Sequence, residues 1–150
     1  MTATLNAGAD GDLEALVGAR HHDPFAVLGL HADGTGSLWR GFVPDAAAVW
    51  VKTAAGFEPA KKMHPQGVFV WRGGVAPPRP LLLRVEEPGG MREVHDPYGF
   101  HPAIGADDLY LFNEGRLEQA YRVLGSRIEA RDGVTGARFA CWAPNAGRVS

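Results

Sequence analysis

The chain carries a single cysteine, Cys141, so no internal disulfide can form and a reducing compartment is the natural setting. It has no excess of basic charge. A formal net charge of −2 at pH 7 offers no footprint for nucleic acid, and none is expected as a partner. No apolar run approaches the ~20 residues of a membrane-spanning helix. The opening residues MTATLNAGAD lack the basic start and apolar centre of a secretory signal. A cytoplasmic protein without membrane contact is the expectation. Catalytic signatures are scarce as well: GxSxG, a Gly-Lys-Ser/Thr phosphate cradle and HExxH do not occur. Two carboxylate pairs remain. Glu86 and Glu87 are adjacent in a strand-like segment and point to opposite faces, so they cannot jointly flank a substrate bond. Asp107 and Asp108 suit the start of a helix. Neither a catalytic residue nor a cofactor is expected.

What the chain does have is alternation. From Ser37 onward the apolar period is two, in SLWRGFV, AAVWVKT, GVFVWRG, PLLLRVEE and MREVHD, with Pro, Gly or Asp between the segments. Trp39, Gly41 and Val43 share one face, and Leu38, Arg40 and Phe42 the other. Val49 and Val51 oppose Trp50 and Lys52. Pro88-Gly89-Gly90 joins the last two strands as a hairpin. Strands this short and evenly spaced predict an all-β fold, an antiparallel immunoglobulin-like β-sandwich with short flanking helices. Trp39, Val43, Val49 and Val51 are its expected core. The stretch 54–66, charged and holding two prolines, is expected to be an exposed loop.

Helical signals are brief. Residues 1–9 are small and polar and are expected to be disordered. Asp10 or Asp12 is the expected cap of a short helix carrying Leu13, Leu16 and Val17. Asp23 with Pro24 opens a further turn through Val27, closed by Gly29. His21-His22-Asp23 invites a metal reading, but no second donor cluster stands at ligand spacing, and a structural or capping role is preferred. Pro97 and Pro102 end any strand arriving from their left. Asn113 is then the expected N-cap of a helix with Leu117, Ala120, Tyr121 and Leu124 on one side and Gly125 as terminator.

A long-period repeat runs through the chain. Phe25–Gly29 resembles Tyr121–Gly125 (121 − 25 = 96). Asp33-Gly34 returns as Asp132-Gly133, and Trp39–Ala46 matches Phe139–Ala146 at an offset of 100 (139 − 39 = 100), with Val49 matching Val149. This spacing points to tandem modules, with the drift in offset assigned to loop insertions. The strand Arg138–Val149 is expected to open a second sandwich, truncated here and without its partners.

Four tryptophans, Trp39, Trp50, Trp71 and Trp142, are the remaining functional candidates. An outward indole matches the C–H face of a sugar ring, and a buried one fills a core or an interface. Parity makes Trp50 the outward one.

HHDPFAVLG, RGFVPDA, HDPYGF, DLYLFNEG, AYRVLG and GARFACWAPNAGRVS together resemble the N-terminal region of the glycogen (1,4-alpha-glucan) branching enzymes, across residues 12–150. Those enzymes form α-1,6 branches by transferring α-1,4-glucan segments. The resemblance implies an N-terminal sandwich, a second sandwich of the carbohydrate-binding family 48 type, and a catalytic β/α barrel that carries all the catalytic residues. On this chain it implies a flexible N-terminus with a short helix at 1–19, a β-sandwich at 20–105, a connecting helix at 106–125 and the first strand of the second sandwich at 126–150. Glycogen-binding relatives place a tryptophan just before this His-Asp-Pro; here Glu93 stands two before His95. A second stacking tryptophan is expected after the Val49 strand, where Phe57 is the only aromatic. Trp50 and Phe57 are therefore the candidate carbohydrate-binding residues, with α-glucan a weak partner and no metal. Two functions follow: a non-catalytic part of a glucan branching enzyme that scaffolds it and modulates chain transfer, or a stand-alone glucan-binding or protein-interaction sandwich.

Overall fold

The structure, a computed structural model, describes residues 7–100 and 104–146. The expectations placed on residues 1–6, Pro102 and Val149 lie outside them. The chain divides into two compact units, residues 1–99 and 100–150.

The first unit opens with helix α1 (Ala7–Val17) and a 3-10 turn (Pro24–Ala26). Seven strands follow: β1 (Gly29–Asp33), β2 (Gly36–Phe42), β3 (Ala48–Thr53), β4 (Gly56–His64), β5 (Val68–Gly73), β6 (Leu82–Glu87) and β7 (Gly90–His95). Their order in the sheet is β1-β2-β5-β4-β3-β6-β7, antiparallel throughout. The sheet curls on itself. One layer is β1-β2-β5 and the other β3-β6-β7, and β4 belongs to both. Its first half pairs with β3 (Val49↔Ala60 to Thr53↔Gly56). Its second half pairs with β5 from Lys61, with a register shift between Lys62 and His64, the kind of irregularity that bends a strand from one layer into the next. The all-β sandwich read from the alternation is the fold.

The core lies between the layers. Trp39, Phe69 and Trp71 from one meet Val49, Val51, Leu83 and Val85 from the other, with Ala46 and Leu81 at the margin and Val43 packed against it, half-buried. The parity assigned to β2 and β3 is the observed one. Val51 is fully buried, so Val51→Ala is expected to cost about 1–3 kcal/mol in urea denaturation. A loss under ~0.5 kcal/mol would be that of a surface position. A second cluster, Leu16, Val27 and Leu28 with Leu13, Phe42 and Tyr98, fastens α1 to the outer face of β2.

Two tryptophan pockets organise the interior. Trp39 and Trp71 are direct cross-strand partners. Each begins a Trp-Arg-Gly triplet, and each lays its indole across the glycine two residues on, where a Cβ would overlap the ring. Each indole N–H also meets a carboxylate. Trp39 Nε1 donates to Asp96 Oδ2 at 2.9 Å, and Trp71 Nε1 donates to Glu58 Oε2 at 2.9 Å.

Glu58 explains why the stretch 54–66 is not the exposed loop expected from its charge. It is largely strand β4. Glu58 stands opposite Val51 and faces inward, where it also accepts from the buried Thr53 hydroxyl at 2.8 Å. Lys62 is likewise occupied, donating to the Ala46 carbonyl at 3.0 Å and lying 5.4 Å from the Phe69 ring centroid. Pro59 is tolerated because the half of β4 that holds it pairs only with β3.

The N-terminal helix starts at Ala7, ahead of both expected caps and inside the stretch expected to be disordered. The turn at Pro24 is present, but Asp23 makes no side-chain cap. His21 holds the approach to the turn instead: its Nδ1 accepts the Asp23 N–H at 3.1 Å, and its ring stacks on His22 at 5.2 Å.

The second unit holds helix α2 (Ala106–Asn113), a 3-10 turn (Ala120–Arg122), and strands β8 (Gly125–Arg131) and β9 (Val134–Ala140). Asp107 and Asp108 occupy the first turn of α2, and Asp108 reaches back to accept the Gly105 N–H at 3.3 Å. The helix expected to begin at Asn113 instead ends there, because Gly115 turns the chain left-handed (φ 68°). The last strand is not alone: β9 pairs with β8 along its length, from Gly125↔Ala140 to Arg131↔Val134.

These elements repeat the opening of the first unit in most of their turn hydrogen bonds. The N–H groups of Gly18, Ala19 and Arg20 bond to Glu14, Leu16 and Ala15; those of Glu114, Gly115 and Arg116 bond to Tyr110, Phe112 and Leu111. Leu28 donates to Pro24, as Leu124 does to Ala120. Gly29 (φ 92°) and Gly125 (φ 97°) each start a hairpin. The repeat thus begins at the helices, and α2 is the first element of the second copy. Gly29 and Gly125 are 96 apart (125 − 29 = 96), while their cross-strand partners Arg40 and Ala140 are 100 apart (140 − 40 = 100). The drift sits within the arms of the hairpin, which grow from five paired positions to seven, and not in the loops.

Candidate functional site

Trp50 and Phe57 project from the outer face of the β4-β3-β6-β7 layer, since their strand neighbours Val49, Val51 and Glu58 point inward. Register builds this face in rows. Pro59, Trp50, Arg84 and Glu93 stand side by side across four strands. Phe57 and Lys52 stand together in the adjoining row. The two candidate residues are thus brought onto one face as diagonal neighbours, both half-buried.

Charge surrounds the aromatics. Glu93 Oε1 accepts from Arg84 Nη2 at 2.7 Å and from Nε at 3.2 Å. The Arg84 guanidinium carbon lies 3.8 Å from the Phe57 ring centroid, and Lys52 Nζ lies 4.8 Å from it. Arg84 was not singled out from the sequence, and no local signal could have found it, because it meets Phe57 only through β3. Further along the same hairpin, Arg92 donates to Glu87 at 2.8 and 2.9 Å. The hydrogen bond from Arg92 holds the Glu87 carboxyl below its ordinary value and raises Arg92 in turn. Both groups face solvent, so the pair protects an edge strand more than it stabilises the fold.

The other tryptophans have different places. Trp39 and Trp71 are interior. Trp142 leans on Phe112 at 5.0 Å between ring centroids, as Phe42 packs on the cluster around Leu16 in the first copy. Glu86 is exposed, and Glu87 is engaged by Arg92. Among the described residues no group of three or more His, Cys, Asp or Glu is placed to hold a metal ion, and no helix is long and apolar enough to cross a membrane.

Fold and face together define an immunoglobulin-like β-sandwich module that displays aromatic and charged side chains on one outer sheet face. The chain belongs to the family described as alpha-1,4-glucan branching enzyme GlgB, N-terminal domain, which it matches over residues 9–98. It is 48% identical over 141 residues to the 1,4-alpha-glucan branching enzyme GlgB of Methylobacillus flagellatus, covering 94% of this chain and 19% of that protein. With the enzyme of the same name from Nitrosomonas europaea the identity is 49% over 152 residues, 99% of this chain and 20% of that protein. The chain therefore spans about a fifth of the length of these relatives. A solved pullulanase from Paenibacillus barengoltzii aligns at 17% identity over 63% of this chain and 16% of its own, with a TM-score of 0.36, a likeness too slight to argue from.

Proposed function

We propose that this chain is a non-catalytic part of a glucan-branching enzyme, acting in the cytoplasm, that scaffolds the enzyme and contacts α-glucan weakly through the outer face of the β3 layer. Its family membership, with close identity to branching enzymes over nearly its whole length, carries the reading. In this assignment the bond-breaking groups belong to a catalytic barrel beyond these residues. Residues 20–105 form the first sandwich, and those from 106 onward open a second module of the same design, completed by strands beyond Ser150. Trp50 supplies the flat apolar surface for a pyranose, with Phe57 beside it.

A single half-buried aromatic platform predicts weak binding, near millimolar or about −4 kcal/mol. The purified chain should co-sediment only slightly with glycogen, lose that binding on Trp50→Ala, and leave the iodine stain of amylose unchanged. Submillimolar binding would reject the weak-contact part of the proposal, and measurable branching would reject the assignment of chemistry to the barrel.

A further inference from the structure

We infer that Arg84 is a displaceable cover over the Phe57 ring, so that this face meets glucan through Trp50 alone until Arg84 withdraws. The inference rests on the glucan-contact reading above and adds to it a latent second sugar platform together with the residue that shuts it.

Phe57 and Glu58 alternate, and Glu58 is the one turned inward to Trp71. The phenyl ring is thus committed to the outer surface. An outward ring flanked by a tryptophan would ordinarily be open to a sugar's C–H face. Here a guanidinium stands 3.8 Å from the ring centroid, the separation of a face-on cation–π contact and closer than the Lys52 ammonium at 4.8 Å. A pyranose stacked on that side would need the same space.

Arg84 is no register neighbour of Phe57. It stands in the row of Trp50, one strand further across the sheet, and reaches Phe57 only by extending over β3. From its other side it is held by Glu93, whose Oε1 accepts two of its N–H groups. Glu93, Arg84 and Phe57 form a tether, a cover and a platform in sequence across the layer. The tether is exposed at both ends, with side-chain exposures of 38% for Arg84 and 46% for Glu93, and exposed ion pairs of this kind are weak. The cover can therefore be displaced, and a ligand's affinity for the ring falls by the fraction of time the ring is hidden.

The test uses the whole chain, with maltoheptaose as the probe. In the wild type the δ-methylene protons of Arg84 should be shifted upfield by the Phe57 ring current in NMR spectra, and Phe57→Leu should return them to their ordinary position. Arg84→Ala should bind maltoheptaose about fivefold tighter than the wild type, equivalent to about 1 kcal/mol. Adding Phe57→Leu to that variant should remove the gain. Glu93→Gln, which loosens the tether while keeping Arg84, should shift affinity in the same direction by less. An ordinary Arg84 spectrum in the wild type would overturn the inference. So would unchanged or weaker binding by Arg84→Ala while Trp50→Ala still abolishes binding, an outcome that leaves the glucan reading standing. No binding by any variant, Arg84→Ala included, would bring down the glucan reading and this inference with it.

Discussion

Gly41→Ala is expected to destabilise the first unit by about 3 kcal/mol, the upper end for overpacking a filled core. A Cβ at Gly41 would overlap the Trp39 indole carbons. The indole has no easy way to yield. It is fully buried, its N–H is bonded to Asp96, and Trp71 stands beside it. Urea denaturation should show a lowered midpoint with an unchanged slope. Coupling provides the sharper check. Once Trp39→Leu has vacated the space, the added methyl should do much less further damage, giving a double-mutant interaction energy on the order of 1–2 kcal/mol. Simple additivity of the two changes would show that the glycine is needed for some other reason. Gly73→Ala should behave alike toward Trp71, whose ring its Cβ would also overlap.

Asp96→Ala is expected to cost about 2–4 kcal/mol, because one buried and one part-buried donor lose their acceptor. These are Trp39 Nε1 at 2.9 Å and the Tyr98 N–H at 3.1 Å, and Asp96 itself is only 2% exposed. The pH dependence should run opposite to ordinary acid unfolding. Burial pushes the Asp96 carboxyl above its ordinary value, outweighing the hydrogen bonds from Trp39 and Tyr98 and the nearby charges of Arg79 and His31. The folded state therefore holds this proton more tightly than the unfolded chain, whose aspartates titrate near 3.9. The stabilisation from this group is fully present below that value and is lost as pH rises through the raised folded value. Asp96→Asn removes the titration. Its destabilisation relative to the wild type should be largest near pH 4 and shrink toward pH 7, measured by denaturation at each pH. A loss that grows with pH would mean that the carboxylate is held more favourably ionised than neutral.

Much of this interior was legible because β3 and β6 alternate, with an apolar inner face, and because Trp39 keeps the same parity in β2. Trp39, Val49 and Val51 could be placed from parity alone. β4 was not legible, since it mixes charge with proline and its one charged inward residue, Glu58, breaks the apolar alternation. Glu58 and Lys62 are satisfied by Trp71, Thr53 and the Ala46 carbonyl, partners that only the folded chain supplies. The 113–125 helix failed for a different reason. Leu117, Ala120, Tyr121 and Leu124 do have helical spacing, but Gly115 breaks the chain before them and only a 3-10 turn forms. At the candidate site, parity identified the outer face and Trp50 on it. The guanidinium over Phe57 was hidden, because Arg84 meets the ring across an intervening strand.

The growth of the hairpin between the two copies has its own arithmetic. Each arm of β8-β9 is two residues longer than its counterpart in β1-β2. In a pleated strand an even insertion returns every later side chain to the face it occupied before, whereas an odd one would turn the whole series over. Phe139 therefore still holds the register position of Trp39, and Trp142 reaches Phe112 where Phe42 packs on the cluster that holds Leu16. What such a hairpin requires is that its two arms lengthen equally, since residues added to one arm alone shift the pairing register or must be absorbed as a bulge. In the β1-β2 hairpin, additions matched in the two arms should therefore be tolerated, whereas a single residue added to one arm should displace Trp39 or Leu30 from its place and lower stability.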